Sequence, residues 1–110
     1  MRLSTDFWVS ALLRRAEQGG AFPAVVRRGD AQAGAVLVKV IDRRAGRFDL
    51  YAEAVRGEGE RVWMRPVKAE DEAAQDAYAE RAVRFDPDIW IVEIDDPKGR
   101  HFLTEPVEAR

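Results

Sequence analysis

Apolar residues recur every three or four positions near the start of the chain. Trp8, Val9, Leu12, Leu13 and Ala16 fill one arc of a helical wheel, and Ser10, Arg14, Glu17 and Gln18 lie opposite. This period predicts a helix over residues 5–18, with Ser4, Thr5 and Asp6 able to cap its start and Gly19-Gly20 ending it. The period then changes. Residues 22–28 form a short strand-like run, and residues 35–41 form a second, with Val36, Val38 and Val40 on one face and Leu37 and Ile41 on the other. A β-branched run that is apolar on both faces suits the middle of a sheet. After the break at residues 42–46, Phe48, Leu50, Ala52 and Ala54 alternate with Arg47, Asp49, Tyr51 and Glu53, the pattern of a strand with one wet face. Residues 56–60, with Gly57 and Gly59, read as a loop, and residues 61–65 as a short strand stopped by Pro66.

A second helix is predicted over residues 69–85. Glu70, Asp71 and Glu72 stand in its first turn, where the dipole favours anions, and Ala74, Tyr78, Ala82 and Phe85 form its expected buried stripe. Asp86-Pro87-Asp88 ends it. Residues 89–94 are apolar on both faces and predict an internal strand. Asp96-Pro97-Lys98-Gly99 has the residues of a β-turn that returns the chain through His101, Phe102 and Leu103 as a hairpin, with a tail from Pro106.

The element order is therefore α-β-β-β-β-α-β-β. Short links between consecutive strands imply antiparallel pairing. The expected architecture is an α+β fold in two layers, a mainly antiparallel sheet of about five or six short strands carrying two helices. At 110 residues the chain reads as a single domain over its whole length, able to bury roughly two-thirds of its unfolded surface.

Composition narrows the chemistry. The absence of cysteine excludes disulfides, thiolate nucleophiles and Cys-based metal sites. The N-terminal apolar patch, residues 7–13, is broken by Ser10 and carries no cleavage-site pattern, so a cytoplasmic location and no membrane attachment are expected. A formal net charge of -2 argues against a dedicated nucleic-acid binder. The charge is uneven, however: Arg14-Arg15, Arg27-Arg28 and Arg43-Arg44 are paired, while acidic residues crowd the second half.

Gly29 and Gly34 stand at the spacing of a phosphate-binding loop. Ala35 and Val36 replace the Lys-Ser/Thr such a loop requires, and a strand follows in place of a helix. The expectation is a hairpin loop in which glycine supplies positive φ. Arg28-Gly29-Asp30 is an Arg-Gly-Asp tripeptide by coincidence. Glu93, Asp95 and His101 could approach one another across the C-terminal hairpin and hold a divalent metal, although acidic residues so close more often mark strand ends in water. Ser4 and Ser10 have no nearby histidine, and no nucleophile elbow exists. Trp8 and Trp90 belong to apolar runs and read as core. Trp63, among charged neighbours, reads as an exposed aromatic suited to an interface.

Taken together, Thr5 to Arg15, Ala24 to Asp30, Ala33 to Val40 and Asp88 to Asp95 resemble a family of short alphaproteobacterial proteins catalogued as a domain of unknown function. The resemblance covers nearly the whole chain. It implies no activity, cofactor or catalytic residue. The expected function is that of a small cytosolic binding or interaction module without a cofactor or metal, contacting an acidic protein surface or a phosphate group through Arg15, Arg27, Arg28, Asp30 and Lys39. A homodimer is compatible with its size. The alternatives are a nucleic-acid binder using the arginine pairs and a metal-dependent hydrolase or nuclease using the acidic C-terminal hairpin.

Overall fold

A computed structural model describes residues 3–55, 57, 59–67 and 71–108. Helix α1, Thr5–Gln18, buries Thr5, Trp8, Val9, Leu12 and Ala16, which is the arc the sequence periodicity marks out. Its end is a glycine pair in which Gly20, at φ 89°, takes the left-handed conformation. Its beginning is capped differently from expectation. The Ser4 hydroxyl turns to Asp6 Oδ1 at 2.8 Å, and the Thr5 and Asp6 amides instead donate to the carbonyls of Gln32 and Ala31. A distant loop therefore satisfies donors that a helix start leaves open.

The strands are β1 (Phe22–Arg27), β2 (Val36–Asp42), β3 (Arg47–Val55), β4 (Arg61–Met64) and β5 (Trp90–Asp95), and helix α2 is Glu72–Phe85. The α+β class, the mainly antiparallel sheet and the order of these elements are as expected. Ala69 and Glu70, expected at the start of the second helix, and Arg56 and Glu58, expected in a loop, lie outside the described residues. Asp71 caps α2 by accepting from the Ala74 amide at 3.0 Å.

The sheet order is β1-β5-β2-β3-β4. β2, β3 and β4 form an antiparallel meander. Helix α2 then carries the chain back across the sheet, so β5 enters beside β2 in parallel register, Val38 opposite Val92 and Lys39 opposite Glu93. On its other side β5 pairs antiparallel with β1, Ala24 opposite Glu93, with an irregularity between Val25 and Arg27.

Two expectations change here. The helices lie on opposite faces, giving three layers where two were expected. Val36, Val38, Val40, Val92 and Ile94 pack with Trp8 and Leu12 of α1, whereas Leu37, Leu50 and Ile91 pack with Tyr78, Ala79, Ala82 and Val83 of α2. This is why β2, on the central axis, is apolar on both sides and buried over residues 36–41. Phe85, expected in the buried stripe of α2, is 86% exposed; Val83 packs on the sheet from the last turn instead.

The sixth strand does not form. The turn at residues 96–99 does, with the Gly99 amide donating to the Asp96 carbonyl and Gly99 at φ 67°. Both flanks of β5 are already taken by β1 and β2, so residues 101–103 cannot pair with it as a hairpin. The Leu103 amide donates instead to His101 Nδ1 at 2.9 Å. Arg100 fastens the turn, placing Nε 2.9 Å from Asp96 Oδ2 and donating from Nη2 to the Gly19 carbonyl. These bonds from Arg100 hold the buried Asp96 carboxyl below its ordinary range. The chain then crosses to β4, where Trp63 exchanges backbone bonds with Pro106 and Glu108 and covers that edge.

Candidate interaction site

The connection between β1 and β2 carries the glycine pair. It is no hairpin, since β5 lies between the strands it joins. The loop bridges the end of β5 by hydrogen bonds: the Asp30 amide donates to Asp88 O, the Trp90 amide donates to Ala35 O, and the Trp90 indole donates to Asp30 O at 2.8 Å. Thr5 Oγ1 ties α1 to the same loop by donating to Gly34 O at 2.8 Å. Neither Gly29 nor Gly34 has positive φ. A β-carbon on either one would fall on the Asp88 carbonyl oxygen. Glycine is needed here for close approach of backbones, which corrects the expectation of a left-handed turn. The pair seats a strand, and its neighbouring helix start is filled by the loop's own carbonyls.

Of the five residues singled out by the sequence, three share this loop. Asp30 accepts from the Gln32 and Ala33 amides at 3.1 and 2.9 Å. Arg27 donates to Pro87 O at 2.8 Å, and the Arg28 guanidinium lies 4.8 Å above the Trp90 ring. Arg15 is elsewhere, on α1, where its Nε donates to Phe102 O. Lys39 lies on the opposite face of the sheet, 8% exposed, with Glu72 at 2.7 Å and Asp76 at 3.2 Å. Burial works against its charge, and the two carboxylates outweigh it, so its pKa is raised. The five residues thus occupy three separate places on the molecule.

The other candidates also separate. Glu93 and Asp95 are register partners of Lys39 and Ile41 on the α2 face. His101 sits on the α1 face, edge-on to Tyr51 with centroids 5.2 Å apart, and burial lowers its pKa. The expected approach of His101 to Glu93 and Asp95 does not occur, because the hairpin that would bring them together is absent. Among the described residues no group of three His, Asp or Glu side chains could hold a metal ion. Trp63 is fully buried, contrary to expectation. Its ring stacks on Trp8 and its indole donates to Glu105 Oε1 at 3.0 Å, while the Trp8 indole donates to Oε2 of the same carboxylate at 3.0 Å. No pattern in the sequence marks Glu105, which stands just before what reads as a tail.

A concave feature lies on the α2 face. Between α2 and β1 runs a groove of about 490 Å³, with Ile91 and Glu93 of β5 at its base, Val26 on the β1 side, and Ala79 and Val83 on the helix side. Beside it β1 is an edge strand whose Phe22, Val25 and Val26 are 73%, 40% and 55% exposed.

A family model described as a protein of unknown function, DUF1491, matches residues 3–104. The chain belongs to the DUF1491 family. Solved structures agree with this membership. The chain is similar to a crystal structure of a DUF1491 family protein from Caulobacter crescentus, at 67% identity and a TM-score of 0.93, over 97% of this chain and all of that one. An NMR structure of a DUF1491 family protein from the same organism gives 67% identity and a TM-score of 0.92, over 99% of each chain. A solution structure of protein Atu0922 from A. tumefaciens has 33% identity and a TM-score of 0.83, covering 100% of this chain and 99% of the other. No curated protein matches. The family thus fixes the DUF1491 fold and brings no activity with it. Among the described residues no helix is long and apolar enough to cross a membrane.

Proposed function

We propose that this chain is a non-enzymatic interaction module that meets a partner along the β1 side of its sheet. One observation carries the reading: β1 exposes Phe22 and Val26 on the side of an open groove and Val25 on the other face, while the opposite edge, β4, is covered by the chain's own C-terminal segment. Pro23 removes a backbone donor from β1, and the irregularity after Val25 bends the strand, so side chains rather than added strand pairing supply the contact. Arg28, exposed at the end of this strand, offers a cation to an acidic or phosphate group on the partner. Arg15 and Lys39 contribute less, being engaged by Phe102 and by Glu72 and Asp76.

A photo-crosslinking residue placed at Phe22 tests this reading in cells, with Val55, 58% exposed at the far end of β3, as the control. The expected outcome is one defined crosslinked species from position 22 and none from position 55. A self-crosslink identifies the partner as a second copy. Equal labelling from both positions, or none from position 22, overturns the proposal.

A further inference from the structure

Glu93 stands in the middle of β5 at the base of the groove, half-buried. Its two register neighbours leave its carboxylate unsupported. Lys39, on β2, directs its ammonium to Glu72 and Asp76 on the helix. Ala24, on β1, presents only a methyl group. Among the described residues no hydrogen bond or ion pair reaches the Glu93 side chain, which protein partly shields from water; Arg43 acts on it only through space, its guanidinium being paired with Asp95 at 2.8 Å. A carboxylate in that position gains from a cation that can enter the groove.

The walls specify what kind of cation. Val26, Ile91 and Val83 make them apolar, which suits a hydrocarbon stem rather than a bare ammonium ion. The cavity is in the size range of small-ligand sites. The acidic character extends along the helix rim, where Glu80 also lines the groove and is exposed. Arg84 is the other cation at the rim; it is exposed and makes no ion pair among the described residues. The open approach lies over Ala24, from the β1 side where the partner is proposed to sit.

We propose that the groove receives a lysine or arginine side chain, flanked by apolar residues, from a segment of the partner protein, with its stem on Ile91 and Val83 and its head on Glu93. This rests on the reading of the β1 side as an interaction surface and supplies the chemistry of what that surface holds.

Methyl-labelled protein titrated with the blocked peptide acetyl-Leu-Lys-Leu-amide provides the test, read as shifts of the Val26, Val83 and Ile91 methyl signals. Saturable shifts confined to these methyls are expected. Affinity should fall roughly tenfold or more when norleucine replaces the lysine, and by a similar factor in the isosteric E93Q variant. R84Q, which removes a competing cation, should bind as well as or better than the unaltered protein. Equal affinity for the norleucine peptide, no effect of E93Q, weaker binding by R84Q, or no shifts at all overturns the proposal. Spermidine binding as tightly as the peptide overturns the assignment to a protein segment. Crosslinking from position 22 that persists when the peptide fails leaves the interaction surface standing without this site.

Discussion

The rings of Trp8 and Trp63 stack with centroids 5.4 Å apart and share one carboxylate, each indole donating to a different oxygen of Glu105. The first helix and the fourth strand are thereby fastened by a residue near the end of the chain. Burial raises the Glu105 pKa, but the Trp63 and Trp8 bonds outweigh it and the net direction is downward. Stability from this group is therefore full above its ordinary value of 4.5 and is lost as pH falls through the depressed folded value. Glu105→Gln keeps the shape but offers an amide NH₂ to one indole N–H. The expected loss is about 1–3 kcal/mol near neutral pH, with a shallower acid limb, measured by urea unfolding across pH.

Gly29 and Gly34 should tolerate no β-carbon. Alanine at either must push back the Asp88 carbonyl and with it the entry of β5, at a cost of about 1–3 kcal/mol. Gly57 has open space around it, so Gly57→Ala is expected to be neutral or stabilising by a few tenths of a kcal/mol, up to about 1. Thermal unfolding of the three variants side by side separates close approach from a general dislike of alanine in loops.

Lys39 and its acids are not equivalent. Glu72 and Asp76 have side chains 44% and 60% exposed, and water takes them back if the lysine is removed. Lys39→Met, on a strand buried on both sides, should cost less than about 1 kcal/mol. The paired change Glu72→Gln with Asp76→Asn leaves a buried ammonium with weaker partners and should cost more. Because the folded pKa of Lys39 is raised, its contribution is full below 10.5 and declines as pH rises through the folded value. Chemical denaturation of the two variants at neutral pH and above 10.5 reads both effects.

His101 titrates in the opposite sense to a paired histidine. Burial against Tyr51 lowers its pKa from 6.5, so the unfolded chain binds the proton more readily. Stability is full above 6.5 and falls as the pH drops from there through the folded value. His101→Phe should flatten that slope. Because Nδ1 accepts from Leu103, the neutral ring carries its proton on Nε2, which nitrogen chemical shifts report directly.

The helices and strands were legible because their periods are local. Helix α1 runs over the residues its apolar arc spans, and β2 reads as central because Leu37 and Val38 face different helices. What escaped the sequence came from contacts between distant segments. The insertion of β5 between β1 and β2 turned an expected hairpin into a bridge and left residues 101–103 without a partner strand. Trp63 reads as exposed from its charged neighbours, yet the cover over it comes from Pro106 and Glu105. The glycine pair was visible while its cause was not, since the Asp88 carbonyl lies far along the chain. The groove had one sequence signal: a carboxylate, Glu93, in the middle of an otherwise apolar strand.

The place of β5 also sets an order on synthesis. Until residues 90–95 leave the ribosome, β1 has no strand neighbour and the inner edge of β2 is bare. The nascent chain therefore carries two open edges through most of its production, and these are closed together, by a single late strand. Slowing the emergence of the last third of the chain should therefore lower the yield of folded protein.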